Sequence, residues 1–316
     1  SAYVARVTQD FKAGRDLNVV WDCGNGATGP ALQGIIEKLP GKHTILNAEV
    51  DGNFPAHHPD PTLPETLEQL QAAVSAEGAE LGIAFDGDGD RIGVIDADGA
   101  VLWADQLLVM LAREVLSRHQ GATIIADVKA SQVLFDEIES AGGKPMMYRT
   151  GHSLIKAKMA ETSAPLAGEM SGHIFYADGY FGYDDALYVA VRLLSVLAGG
   201  TETLASFRNT LRPVVNTPEM RFTCSEDRKF IVPEEVHARL KAENADVNAT
   251  DGVRVNTRDG WWLLRASNTQ DVLVARCEAF DDVGLGRLKA ALAHQLHQSG
   301  VSLPADFWGP IQSDAA

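Results

Sequence analysis

Cysteine is scarce in this chain. Three occur in 316 residues, at Cys23, Cys224 and Cys277, with no metal-type spacing between them. A sparse, odd set excludes a disulfide scaffold and points to reduced thiols in a cytoplasmic setting. Long apolar runs are missing too. None approaches the roughly 20 residues of a membrane span, and no signal peptide is visible. Basic residues are comparatively few: 27 Lys and Arg stand against 43 Asp and Glu, a net charge of −16. That balance argues against a nucleic-acid backbone or an anionic membrane as partner, but leaves room for a phosphorylated small molecule at a locally basic site. There is no initiator methionine before Ser1-Ala2-Tyr3, and the chain is expected to be part of a longer protein.

What is present suits two or three globular domains: hydrophobic content is 45% and charged content 22%. Over residues 1–100 strands alternate with helices. Val19 to Trp21, Thr44 to Leu46, Leu81 to Phe85 and Ile92 to Ile95 read as strands. Pro30 to Leu39 and Pro64 to Ala76 read as helices. Residues 101–212 repeat this grammar, with strands at Thr123 to Val128 and Pro145 to Tyr148. The helices there are Gln106 to Arg118, Gln132 to Ser140, Leu154 to Glu161 and Asp184 to Leu197. The fold class is therefore α/β in two similar mixed domains. Residues 213–316 change to an α+β pattern. Its antiparallel strands are Glu219 to Cys224, Gly252 to Asn256, Trp261 to Arg265 and Val272 to Glu278. Its helices lie near Pro233 to Glu243 and Leu285 to Gln298.

The loop Asp86-Gly87-Asp88-Gly89-Asp90-Arg91 sits between two apolar strands. Three carboxylates packed so closely repel one another, and a hard divalent cation relieves that cost. Mg²⁺ suits, because it takes oxygen ligands and shares its sphere with water and a substrate phosphate. Asp86, Asp88 and Asp90 are the candidate ligands. A calcium EF-hand is excluded by counting: position six is Arg91 instead of Gly, and position twelve is Ala97 instead of Glu.

Other loops carry polar chemistry. Gly168-Glu169-Met170-Ser171-Gly172-His173 offers a carboxylate, a hydroxyl and an imidazole, and Glu169 and Ser171 could hydrogen-bond sugar hydroxyls. Arg265-Ala266-Ser267-Asn268-Thr269 can cradle an anion, with Arg276 on the next strand adding charge if the two strands pair. Lys129 follows a strand and His152 opens a helix, the places where α/β folds put ligand residues. Asn53 to Pro61, with His57 and His58, reads as a rigid proline-rich connector.

Together these loops resemble the α-D-phosphohexomutase superfamily, within it the bacterial phosphomannomutase/phosphoglucomutase branch. Asp22-Cys23-Gly24-Asn25-Gly26, Asp51-Gly52-Asn53-Phe54-Pro55 and Thr150-Gly151-His152-Ser153 add to the likeness, which runs over essentially the whole chain. The resemblance implies family domains two, three and four at residues 1–100, 101–212 and 213–316, the last TATA-box-binding-protein-like. It implies Mg²⁺ on Asp86, Asp88 and Asp90, with Arg91 positioning the transferring phosphate. Glu169 and Ser171 would grip the sugar's 3- and 4-hydroxyls, and Arg265, Ser267, Asn268 and Thr269 the non-reacting phosphate. Lys129, His152 and His173 would line the cleft, His173 as candidate acid or base.

The implied reaction interconverts hexose 6-phosphate and hexose 1-phosphate, of mannose and glucose, through a bisphosphorylated sugar and an enzyme phosphoserine. Met170 resembles this branch, where phosphoglucosamine mutases tend to carry Gln. Two departures stand out. The family's phosphoserine loop, of Thr-Ala-Ser-His-Asn-Pro type, does not occur in these residues, so an N-terminal domain in cis is expected to be missing and the chain alone inactive. Gln270-Asp271 also replaces a pair whose second member is usually proline. Two other readings remain: a sugar-phosphate-binding module or regulator, and a phosphatase with Asp86 as nucleophile. The second is disfavoured because the loop departs from an Asp-x-Asp-x-Thr pattern.

Overall fold

The computed structural model describes residues 1–309. They divide into two compact units: residues 1–146 with 151–211, and residues 147–150 with 212 onward.

The first unit opens with helix α1 (Ala2–Thr8), capped by the Ser1 hydroxyl, which accepts from the Val4 N–H. Strands β1 (Leu17–Asp22), β2 (Gly41–Leu46), β3 (Leu81–Phe85), β4 (Ile92–Asp96) and β5 (Val101–Leu102) form one sheet in the order β2-β1-β3-β4-β5. The first three are parallel and the last two antiparallel. Helices α2 (Gly29–Ile36) and α3 (Glu68–Glu77) make the crossovers. β3 is buried throughout, which is why it reads as an unbroken apolar run.

The helix expected over Pro64 to Ala76 is split. Pro64–Thr66 is a 3₁₀ turn before α3, because the Thr66 hydroxyl donates to the carbonyls of Asp60 and Leu63 and fixes a tighter turn.

The second sheet repeats the first. Its strands are β6 (Thr123–Asp127), β7 (Lys144–Tyr148), β8 (Leu166–Gly168), β9 (Ile174–Tyr176) and β10 (Tyr183–Asp184), in the order β7-β6-β8-β9-β10. Position by position this matches the first sheet, with β6 and β8 parallel and β8, β9 and β10 antiparallel. Thus the β3–β4 turn, which holds Asp86 to Arg91, and the β8–β9 turn, which holds Glu169 to His173, are equivalent places in a repeated topology. Helices α4 (Ala104–Leu116), α5 (Gln132–Ser140), α6 (His152–Thr162), α7 (Ala186–Ala198) and α8 (Leu204–Arg208) complete the unit. The helix expected from Asp184 starts later: Tyr183 and Asp184 pair with β9, and the Asp185 carboxylate caps α7 through the Tyr188 N–H.

A charged cluster ties α4 and α7 to the β9–β10 hairpin. Asp178 accepts from Arg192 at 3.0 Å, from His119 at 2.8 Å and from Arg118. Burial alone would raise this carboxyl, but those three donors outweigh it and hold it down at about 2. A depressed carboxyl stabilises the fold above its unfolded value near 4 and loses that contribution as pH falls toward 2. Asp178→Asn should therefore cost about 1 kcal/mol at neutral pH, allowing for screening by solvent. Urea titrations should show the gap from wild type narrowing between pH 4 and pH 3. A gap independent of pH would show that the carboxylate is not held this way.

The second unit is a sheet of β11 (Val215–Asn216), β12 (Met220–Thr223), β13 (Asp246–Asn248), β14 (Val253–Thr257), β15 (Gly260–Ala266) and β16 (Val272–Ala279). The order is β11-β16-β15-β14-β13, with β12 also on β16, and the pairs are antiparallel, as expected for an α+β domain. Helices α9 (Glu226–Lys229), α10 (Ile231–Ala242) and α11 (Asp282–Gln298) follow the same order in the chain. Val236, Leu240, Leu285, Leu288 and Leu292 close one face of the sheet over Val253, Val255, Trp262, Leu264 and Leu273. Alternation puts Trp261, Leu263 and Arg265 on the other face.

Candidate active site

In the first unit, Asp86 organises its own loop. Its Oδ1 accepts from the N–H groups of Gly89, Asp90 and Arg91 at 3.0, 3.1 and 3.0 Å, and its Oδ2 from Arg91 Nε at 2.7 Å. Burial pushes the Asp86 carboxyl up to about 6, against the pull of the Arg91 backbone N–H and guanidinium. Gly89, at φ +83°, supplies a turn that a side chain could not, since a Cβ there would meet Thr28 at 2.6 Å. Oxygens of Asp86, Asp88 and Asp90 come within 4.8 Å of one another, an all-carboxylate set that fits Mg²⁺.

Asp90, His173 and Asp184 also come within that distance. There His173 is flanked by Asp90 at 3.3 Å and Glu169 at 3.3 Å. Burial disfavours its charge, but the two carboxylates outweigh burial and raise the imidazole to about 9. Mg²⁺ prefers oxygen donors to an imidazole, so the three aspartates are the better fit.

The Asp22 and Asn53 motifs support this loop from beneath. Ala27 N–H donates to Gly87 O at 2.9 Å, and a Cβ on Gly26 would strike that carbonyl at 2.7 Å. Buried Asp22 accepts from Gly24 N–H and Asn47 and pairs with His57 at 2.8 Å. His57 is thus committed within the connector, as its reading as structural requires. Asp60, in the same connector, pairs with Arg91 Nη1 at 3.0 Å and was not signalled by any motif.

The β3–β4 and β8–β9 turns meet. Arg91 and His173 form an antiparallel bridge, and Ile92 N–H donates to Gly172 O at 3.1 Å. Gly172, at φ +96°, allows the approach, because a Cβ there would lie 2.9 Å from Ile92 O. Glu169 is buried and accepts from Gly151 N–H at 2.6 Å. Burial alone would raise its carboxyl, but His173, the Gly151 N–H and Lys129 together lower it. The Ser171 hydroxyl lies 2.8 Å from His173 Nδ1. His152 stacks on His173 with ring centroids 5.8 Å apart. Lys156 bridges His152 Nδ1 at 3.2 Å and Asp184 at 2.9 Å. Lys129 lies 3.9 Å from buried Asp127. The structure thus brings Asp90, Arg91, Glu169, Ser171, His173 and His152 together. Lys156 and Asp184 join them unpredicted by the sequence reading.

In the second unit, Arg265 is buried, with Nε donating to Asp251 at 2.9 Å and Nη2 left without a hydrogen bond. Gly252, at φ +77°, lets the Asp251 turn press on β15, since a Cβ there would meet Leu264 O at 2.3 Å. The Ser267 hydroxyl closes the β15–β16 turn by accepting from the N–H groups of Thr269 and Gln270. Asn268 and Thr269 are exposed at its tip. β15 and β16 do pair, and Arg276 faces Leu263 while Arg265 faces Val274. Arg276 therefore shares a face with Arg265 but lies two positions deeper, its guanidinium 5.8 Å from the Trp261 ring centroid.

Comparison with known proteins adds names to this geometry. Three models of the phosphoglucomutase/phosphomannomutase family match in succession: alpha/beta/alpha domain II over residues 1–99, alpha/beta/alpha domain III over 103–214 and the C-terminal domain over 219–295. A phosphomannomutase/phosphoglucomutase of Pseudomonas aeruginosa is 45% identical over 305 residues, covering 96% of this chain and 66% of that protein. A crystal structure of a phosphoglucomutase/phosphomannomutase family protein from Burkholderia thailandensis aligns with TM-score 0.90 and 43% identity, over 96% of this chain and 65% of that one. The chain thus spans about two thirds of the length of these relatives. An Aspergillus fumigatus N-acetylphosphoglucosamine mutase, solved in complex with GlcNAc-6P and magnesium, shares the fold at TM-score 0.66 and 16% identity, over 93% of this chain and 68% of that one.

Proposed function

The chain belongs to the phosphoglucomutase/phosphomannomutase family, and from that premise we propose that its loops bind Mg²⁺ and hexose phosphates for the reversible interconversion of hexose 6-phosphate and hexose 1-phosphate. One observation carries the reading most: the bridge between Arg91 and His173, which sets the three-aspartate loop beside Glu169 and Ser171. A phosphoryl group held at the aspartates would then lie next to a sugar held by Glu169 and Ser171. Mg²⁺ on Asp86, Asp88 and Asp90 would offset the negative charge of the group in transfer.

The residues divide the remaining tasks. Arg91, fixed by Asp86 and Asp60, keeps a guanidinium beside the carboxylates. Glu169 accepts from the vicinal 3- and 4-hydroxyls, which look alike whichever phosphate faces the aspartates. His173 carries a proton at neutral pH and can donate it to the sugar oxygen as its P–O bond breaks; in the reverse step it takes the proton back. Lys129 and His152 add polar contacts around the sugar. Arg265, with Ser267, Asn268 and Thr269, holds the non-reacting phosphate, and Arg276 adds positive charge behind it.

The phosphoryl carrier of the proposed cycle is a serine in a Thr-Ala-Ser-His-Asn-Pro type loop, which is not among the 316 residues. These residues alone should bind hexose phosphates without interconverting them. Phosphorus NMR of this chain with mannose 1-phosphate, Mg²⁺ and glucose 1,6-bisphosphate should show no mannose 6-phosphate. Sustained formation would assign the carrier to a residue of this chain.

Met170 supports mannose and glucose phosphates over glucosamine phosphate. Calorimetry should give glucosamine 1-phosphate at least about tenfold weaker binding than mannose 1-phosphate, the scale of one unmatched polar group. Equal or tighter binding of the amino sugar would remove that preference.

A further inference from the structure

Lysine is rarely buried, and Lys229 on α9 is 3% exposed. Its ammonium donates to the carbonyl of Gln270 at 3.0 Å, pairs with Glu226, and lies 3.6 Å from Asp271. Gln270 closes the turn that follows Thr269, and its own N–H is taken by the Ser267 hydroxyl. Both ends of this residue's hydrogen-bonding capacity are thus used, one inside the turn and one from behind it. Next along the chain, the Asp271 carbonyl accepts from Cys224 N–H at 3.1 Å, and Arg221 bonds the Gln270 side chain. The turn has no proline to preset its backbone, so its conformation rests on these partners. Lys229 brings the only full charge among those on the backbone, and a charge-assisted bond is the stronger kind.

We propose that Lys229 is a positioning residue for the anion loop Arg265 to Thr269: its ammonium fixes the Gln270 peptide and so presents Ser267, Asn268 and Thr269 to a phosphate monoester. Its direct pair with Glu226 keeps the ammonium from being an uncompensated buried charge, and Asp271, exposed and 3.6 Å away, is not needed for that. The inference rests on reading that loop as a phosphate site, and the test separates the two.

Wild type, Lys229→Met, Asp271→Pro and the double variant are compared by calorimetry with glucose 1-phosphate and by hydrogen exchange at the Gln270 amide without ligand. Lys229→Met should weaken binding about tenfold, the worth of one charge-assisted hydrogen bond. It should also speed exchange of the Gln270 amide by at least about tenfold, since the local opening no longer breaks that bond. Proline at 271 presets the backbone, so the double variant should recover most of the affinity, while Asp271→Pro alone should bind within about twofold of wild type. If Lys229→Met does not fold, the double variant carries the test: folded and binding supports the proposal, folded without binding or unfolded overturns it. Unchanged exchange and binding in folded Lys229→Met would also overturn it. If wild type itself does not bind glucose 1-phosphate, the phosphate reading fails, and the exchange measurement still decides whether Lys229 holds the turn.

Discussion

Arg265→Ala should lose about 100- to 1,000-fold in affinity for mannose 1-phosphate, the largest single effect expected at the second unit's site. Two terms add. The buried guanidinium has Nη2 without a partner and one face committed to Asp251. Bonds from a guanidinium to a phosphate are charge-assisted and contribute about 1.5–3 kcal/mol. Truncation also leaves the Asp251 carboxylate without its cation beside an incoming dianion, and the repulsion makes the total about 3–4 kcal/mol, or two to three orders of magnitude. Asp251→Asn removes the carboxylate and tests the anchoring of Arg265 separately. Arg265 keeps its charge there but loses its anchor, so the loss should be about tenfold. Calorimetry on both variants checks this; an Arg265→Ala protein that binds within about threefold of wild type would remove the loop from the phosphate site.

The aspartate loop gives the second large effect, and its members should separate. Asp88 is exposed, whereas Asp86 is buried and gathers three N–H groups and Arg91. Asp88→Asn should therefore lower Mg²⁺ affinity at least about 100-fold, more than outer-shell changes usually do, and leave thermal stability alone. Asp86→Ala should lose the metal and the loop together. Breaking a buried, hydrogen-bonded ion pair costs about 3–5 kcal/mol. For a unit of this size that lowers the melting temperature by about 6–20 °C. Mn²⁺ as a spectroscopic probe measures the first effect and calorimetric melting the second. Equal melting temperatures for Asp86→Ala and Asp88→Asn would contradict the division of roles.

The chemistry-bearing loops were legible because each interrupts an apolar strand with residues that strands disfavour. Leu81 to Phe85 and Trp261 to Leu264 announce the turns after them, and the two similar α/β stretches proved to share one strand order. The residues that hold the loops were not legible. Asp60 reaches Arg91 across 31 positions, and the Lys229 ammonium reaches Gln270 across 41. Such partners are set by topology, and no local spacing encodes them. Asp184 was hidden differently: Tyr183 and Asp184 form a strand too short to show a period of two, so Asp184 read as the start of the following helix. Asp251 stood in an ordinary turn sequence, where an acid is expected for conformational reasons alone. Arg276 was correctly placed on a paired strand, but only the register shows it two positions deeper than Arg265.

The most direct test of the account is calorimetric titration of this chain with mannose 1-phosphate in the presence of Mg²⁺, with unphosphorylated mannose as comparator. The account predicts saturable one-to-one binding of the phosphorylated sugar and none of mannose over the same range, because the phosphate cradle supplies most of the affinity. Absence of binding by mannose 1-phosphate and by glucose 1-phosphate at millimolar concentration would contradict it.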